Sequence, residues 1–138
     1  MSRAILLDTG PLVAYVNRRE NRHAWSVDVW QTISKPLFTC EAVITEACFL
    51  LRDVYNGEDA VMGLMNDGLI EIPFKLNDEV AEIRELIKRY QSVPMSLADG
   101  CLVRMSELIK DSLILTLDSD FRIYRKNQKE IIELIIAD

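Results

Sequence analysis

Carboxylates in this 138-residue chain recur at the ends of apolar runs. Asp8 directly follows Ala4 to Leu7. Asp118 directly follows Leu113 to Leu117, with Asp120 two residues on. Glu46 lies in the first half of an apolar stretch with helical spacing, and Asp99 stands three residues after Ser96 at the start of another. Like charges gathered in one partly desolvated site repel strongly, and a counter-cation makes the arrangement tolerable. Oxygen-only ligands select a hard ion, Mg²⁺ or Mn²⁺. The single histidine, His23, excludes a histidine-rich zinc site. Carboxylate-held ions beside a phosphate serve phosphoryl transfer: one or two ions, about 4 Å apart if two, activate water and stabilise the leaving oxygen.

Each acid also has a structural explanation. Asp8 can cap a helix beginning near Pro11. Ser96 and Asp99 match a capping box, and Asp118-Ser119-Asp120 matches an ordinary turn. Glu46 can be an exposed helix glutamate, although Val43, Ala47 and Leu50 predict a mostly buried helix, where an unpaired carboxylate is costly. Their common location, rather than any one residue, carries the functional reading.

That location follows from the elements. Ala4 to Leu7, Leu37 to Thr39, Leu69 to Phe74, Leu113 to Leu117 and Ile131 to Ala137 read as strands. Helices are predicted from Pro11 to Val16, His23 to Thr32, Glu41 to Tyr55, Glu58 to Asn66, from an Asn77 cap to Tyr90, and from a Ser96 cap to Leu108 or Ile109. Phe121 to Arg125 reads as a helical turn. Strands alternating with helices give an α/β fold, a central parallel sheet of about five strands with helices on both faces. Ligands bind such sheets beyond the carboxyl ends of the strands, where Asp8 and Asp118 fall and where helix starts bring Glu46 and Asp99.

Composition agrees with one domain over 1–138: 49% hydrophobic and 28% charged residues, without repeats or a flexible linker. No apolar run reaches the roughly 20 residues of a membrane span. The run after Met1-Ser2-Arg3 is too short for a signal peptide. Cys40, Cys48 and Cys101, odd in number and in apolar surroundings, read as core thiols of a cytoplasmic protein. The net charge of −6 argues against a general nucleic-acid binder. Asp8, Glu46, Asp99, Asp118 and Asp120 account for most of it, so local sign decides whether a phosphate approaches. Arg18, Arg19 and Arg22 are candidates for phosphate contact or a solvated loop, and Arg104 and Arg122 for pairing with a site acid or substrate. His23 reads as flanking a surface helix, and Trp25 and Trp30 as core or dimer contacts.

The segments Leu6-Leu7-Asp8-Thr9-Gly10-Pro11-Leu12, Ile44-Thr45-Glu46-Ala47, Ser96-Leu97-Ala98-Asp99 and Leu115-Thr116-Leu117-Asp118-Ser119-Asp120-Phe121 resemble, in order and spacing, the successive motifs of PIN domains. The resemblance implies a three-layer PIN-like fold and metal-dependent endoribonuclease activity, often that of the toxin in a toxin–antitoxin pair. It implies Asp8, Glu46, Asp99 and Asp118 as catalytic metal ligands, direct or through water, with Asp120 as an auxiliary ligand. Thr9 and Thr116 are implied to position water or a carboxylate. It also implies a homodimer and a small antitoxin whose tail fills the acidic groove. The chain departs from the motifs at Gly10, where a small hydroxyl residue is common, and at Gly100, where alanine is usual. The competing reading is a non-catalytic RNA- or protein-binding module on the same fold. A phosphotransfer receiver would need paired acids after the first strand, where Leu6 and Leu7 precede Asp8, and a lysine after the last. A haloacid-dehalogenase-type phosphatase would need Asp at position 10, which is Gly10.

Overall fold

The computed structural model describes residues 3–138, and Met1 and Ser2, which open the N-terminal stretch, lie outside the described residues. In chain order the elements are β1 (Ala4–Leu7), α1 (Thr9–Val16), α2 (His23–Thr32), β2 (Leu37–Phe38), α3 (Glu41–Leu50), α4 (Gly57–Asn66), β3 (Ile70–Glu71), α5 (Val80–Arg89), α6 (Leu97–Leu108), β4 (Ser112–Thr116), β5 (Arg125–Lys126), β6 (Glu130–Ile131) and β7 (Leu134–Ile136). Short 3₁₀ turns cover Leu76–Asp78 and Ser119–Arg122.

Five strands form one parallel sheet in the order β3-β2-β1-β4-β7, with helices on both faces. The continuous apolar character of β1 and β4 is what a sheet covered on both sides demands. Leu6, Leu7, Ile114 and Leu115 are accordingly buried at the centre. Leu7 pairs in register with Leu115, so the residues that follow each strand emerge side by side. The helices α1 and α3 pack together, α5 lies against α6, and α6 crosses to β1 and β4. Trp30 is buried and stacks on Tyr15 at 4.1 Å, whereas Trp25 packs at the core's margin. Cys40 and Cys101 are buried, Cys48 is half-buried, and all three are free. Among the described residues no helix is long and apolar enough to cross a membrane.

Four expectations are corrected. The helix predicted to run to Tyr55 ends at Leu50. A Cβ on Gly57 would stand 2.7 Å from the Leu51 carbonyl oxygen and 2.9 Å from Leu51 Cβ. The chain therefore folds back tightly on α3 before α4 begins, with Asn56 in the left-handed region at φ 56°. Asn77 does not cap α5; it lies inside the 3₁₀ turn, and α5 begins after it without a side-chain cap. The segment Leu69 to Phe74 contributes only Ile70–Glu71 as strand. The expected last strand is split. Glu130–Ile131 pairs antiparallel with Arg125–Lys126, and only Leu134–Ile136 joins the main sheet. Asn127 and Gln128, both at positive φ, turn that hairpin, and a left-handed glutamine carries no sequence signal.

Two glycines of α4 should respond oppositely to alanine. A Cβ on Gly63 would meet nothing within 4 Å, so Gly63→Ala should stabilise by about 0.5–1 kcal/mol through helix propensity. Gly57→Ala should destabilise by about 1–3 kcal/mol through overpacking against backbone. Urea denaturation of the two variants measures both; equal shifts would refute the tight α3–α4 return.

Candidate functional site

The parallel pairing of β1 with β4 determines the first contact. Asp8 N–H donates to the Leu115 carbonyl at 3.0 Å, holding Asp8 as the last rung of the sheet. Its backbone then turns out of the strand, and its side chain caps α1 by accepting the Thr9 N–H on Oδ1 at 2.8 Å. Oδ2 accepts the Thr116 hydroxyl at 2.6 Å. The same Thr116 oxygen accepts the Asp118 N–H at 2.9 Å. One hydroxyl at the end of β4 therefore ties two carboxylate-bearing residues together. Thr39, buried at the end of β2, closes the neighbouring edge by donating to the Leu7 carbonyl at 2.7 Å.

Asp99 arrives from α6. Ser96 and Asp99 form a reciprocal capping box, with the Asp99 N–H on Ser96 Oγ at 3.0 Å and the Ser96 N–H on Asp99 Oδ2 at 3.2 Å. Capping and a site role are not alternatives here. The box consumes part of one carboxylate oxygen and fixes where the carboxylate stands. Gly100 belongs to the packing of that helix, since a Cβ there would lie 3.4 Å from Ile83 Cγ2 of α5.

Asp8, Thr9, Gly10, Glu46, Leu50, Ser96, Asp99 and Asp118 line one concavity of about 580 Å³, with Leu117 and Ser119 at its edge. Glu46 is exposed on α3, correcting the expectation of a mostly buried position. Val43, Ile44 and Ala47 take the buried face of the helix and leave Glu46 at the rim. Asp120 is outside the lining; its N–H donates to Asp118 Oδ1 at 2.9 Å and turns the chain into the 3₁₀ segment.

Burial dominates the electrostatics. Desolvation pushes the Asp8 carboxyl up to about 6, against the opposing hydrogen bonds from Thr116 and Thr9; the charges of Asp99 and Asp118 push the same way as burial. Desolvation also raises Asp99, aided by Asp118 and opposed by the Ser96 hydrogen bonds. Among the described residues, ion pairs form only at Arg3 and Arg104, so no basic side chain compensates these acids. Arg104 binds Glu79 and Glu107 rather than a site acid, correcting one of its two expected roles. Arg122 is exposed, and His23 Nδ1 faces the Ala14 carbonyl at 2.7 Å, away from the concavity.

The donor set is carboxylates and hydroxyls only, which fits a hard divalent cation. The Thr9 hydroxyl supports that fit: its oxygen is buried at the concavity and has no protein partner. Among the described residues no three carboxylates, imidazoles or thiols close into a ready ligand cluster.

Sequence reasoning misses Tyr124, which falls inside an unremarkable charged turn. It is fully buried, with Phe121 and Tyr90 edge-on at 5.3 and 5.0 Å, and its hydroxyl donates to Asp99 Oδ2 at 3.3 Å. The spacing Phe121-x-x-Tyr124 after Asp118 is the available signal: two large rings one helical turn apart beside a site acid.

A search of curated proteins found no match to this chain. Among solved structures, the VapC20 toxin of Mycobacterium tuberculosis, described as cleaving the sarcin-ricin loop, is similar in fold. It superposes with a TM-score of 0.73 over 85% of this chain and 92% of that one, at 18% sequence identity. The PIN-domain family model matches residues 5–127. With that match covering most of the chain, from β1 through β4 and into β5, the chain belongs to the PIN-domain family.

Proposed function

We propose that this chain is a divalent-metal-dependent endoribonuclease that hydrolyses RNA phosphodiester bonds. The observation that carries the reading is the pair of buried carboxylates, Asp8 and Asp99, facing one concavity without a basic partner among the described residues. Burying a carboxylate uncompensated costs several kcal/mol, and a bound cation is the compensation this donor set accepts. Family membership and the fold shared with VapC20 support the same reading. They also support the further proposal of a cytoplasmic toxin with RNA as substrate and a cognate antitoxin as partner.

In this proposal Asp8, Asp99, Asp118 and Glu46 hold Mg²⁺ or Mn²⁺, directly or through water. The ion, when bound, supplies an activated water and charge stabilisation at phosphorus. Thr116 orients Asp8 and, through the Asp118 N–H, the start of the loop that carries the third aspartate. Asp120 keeps Asp118 in place through its backbone, with its carboxylate as an auxiliary. Thr9 offers its hydroxyl to a bound water. Glu46, exposed and on a separate helix, adapts at the rim as substrate enters. For a homodimer, the expected surfaces at Ala47 to Leu51 and Ala60 to Leu64 contribute mainly through Phe49, Leu50 and Met62. Ala47, Leu51 and Val61 are committed to the core.

Groups that only orient metal ligands contribute about 10–100-fold. Thr116→Val should therefore lower RNA cleavage by that factor, while Asp8→Asn and Asp99→Asn should each lower it by at least about 100-fold. Cleavage of a panel of structured RNAs with Mg²⁺ or Mn²⁺, with and without chelator, measures this. Undiminished activity in both asparagine variants, or in chelator, would refute the mechanism. Tight RNA binding without turnover in either metal would favour the non-catalytic module.

The metal-free protein carries an independent signature. Asp8 binds its proton more tightly folded than unfolded, so the native state holds the extra proton between about pH 4 and 6, and stability falls as pH rises through that window. The difference from an ordinary carboxyl corresponds to about 3 kcal/mol as an upper figure. Asp8→Asn should thus stabilise the protein in chelator at pH 8 by on the order of 2 kcal/mol, with the gain vanishing near pH 4. Urea denaturation at both pH values reads it. An asparagine variant no more stable than wild type at pH 8 would contradict the burial argument.

A further inference from the structure

A second groove, of about 900 Å³, opens between the end of α1 and the connection from α3 to α4. Leu50 lines both this groove and the acid concavity, so the two adjoin at that side chain. Arg18 and Arg19 stand on one wall, with Val54, Tyr55 and Asn56 on the other. Both arginines are exposed, and neither is paired with a carboxylate among the described residues. Asp53 is the one acid in the lining. Tyr55 is 91% exposed, so its ring contributes almost nothing to the core. In a chain of net charge −6, two free guanidiniums and an unburied aromatic ring beside an acidic site call for a ligand.

We propose that this groove is the track for the single-stranded RNA flanking the bond cut in the acid concavity, with Arg18 and Arg19 on phosphates and Tyr55 stacked on a base. The inference rests on the ribonuclease reading and adds how substrate is held. An ion held by the carboxylates would offset the charge of the scissile phosphate, but its influence would fade over a Debye length of about 8–10 Å. The next phosphates along the strand then face an acidic protein and need cations of their own. Guanidiniums match phosphate oxygens in pairs. An exposed ring stacks on any unpaired base, so the subsite tolerates sequence and selects single-stranded over duplex RNA. Charge complementarity favours RNA here over an apolar protein segment.

The test uses the full chain carrying Asp8→Asn, titrated into a fluorescein-labelled single-stranded oligoribonucleotide with Mg²⁺ across a range of KCl concentrations. Adding Arg18→Ala and Arg19→Ala should weaken binding about tenfold and reduce the log–log salt slope by about 1.4, at roughly 0.7 for each phosphate no longer neutralised. Tyr55→Ala should weaken binding by about 5- to 150-fold, the range for one stacked base. In the otherwise wild-type enzyme the same substitutions should raise KM and leave kcat unchanged. In hydrogen exchange, the oligoribonucleotide should protect residues 16–19 and 50–56. Unaltered affinity and salt slope overturn the proposal, as does protection of those residues by a polypeptide partner but not by RNA. If the wild type cleaves no RNA, the ribonuclease reading fails while the affinity series still reads the groove. Cleavage with KM insensitive to all three substitutions fails the groove alone. Absence of any RNA binding by the Asp8→Asn chain overturns the groove, and wild-type cleavage then decides the ribonuclease reading by itself.

Discussion

The hydrogen bond between the Thr116 hydroxyl and Asp8 Oδ2, at 2.6 Å, is the constraint around which the acid concavity is built. It exists because β1 and β4 are parallel neighbours in register, so that the residue after Leu7 and the residue after Leu115 meet at the same sheet edge. Thr116 is fully buried and Asp8 nearly so. Its hydroxyl serves as donor to one acid residue and acceptor from the next, which only a hydroxyl can do in that space. A valine would preserve the volume and leave the Asp8 oxygen and the Asp118 N–H unmatched.

The choice of neutral donors has an electrostatic consequence. An arginine beside Asp8 would satisfy the carboxylate and end its need for another cation, making a structural ion pair. Thr9, Thr116, Ser96 and Tyr124 instead hold the acids by hydrogen bonds and leave their charge uncompensated. Burial then drives Asp8 and Asp99 upward despite those bonds. The protein retains a set of acids whose charge no basic side chain among the described residues offsets, the deficit that a divalent ion would fill in the proposed function. Tyr124 extends the same logic to Asp99. Its ring sits among Phe121 and Tyr90, so the position of the hydroxyl is set by core packing rather than by solvent.

Much of this is legible in the residues because the relevant patterns are local. The apolar runs at Ala4 and Leu113, the Ser96-x-x-Asp99 box and the Pro11 helix start are each written within a few positions, and together they place Asp8, Asp99 and Asp118. The unread features depend on distant packing. The end of α3 at Leu50 follows from how closely Gly57 returns to Leu51, the split of the last strand from left-handed Asn127 and Gln128, and the role of Tyr124 from a partner 25 residues away. The exposure of Glu46 escapes the sequence for a related reason. Helical periodicity shows that a face is apolar, but whether a residue at its margin is covered depends on what packs there, and at Glu46 nothing does.

An acidic chain proposed to handle a polyanion has to resolve its charge locally. The net charge of −6 is concentrated where it is useful, at the carboxyl edge of β1 and β4 and on the helices that meet it. The basic residues are divided by their engagement. Arg3 and Arg104 are spent on ion pairs that join β1 to its neighbours and α6 to α5's approach. Arg18 and Arg19 form no ion pair among the described residues and stand at the groove that adjoins the acid concavity. Coulomb attraction between exposed charges is weak at contact distance in water but grows as solvent is excluded. A strand entering the concavity would therefore strengthen both halves of the arrangement at once. It would desolvate the carboxylate–cation set at the scissile phosphate and the guanidiniums at the phosphates beside it. Sequence-wide charge, which argues against nucleic-acid binding, averages over this division and conceals it.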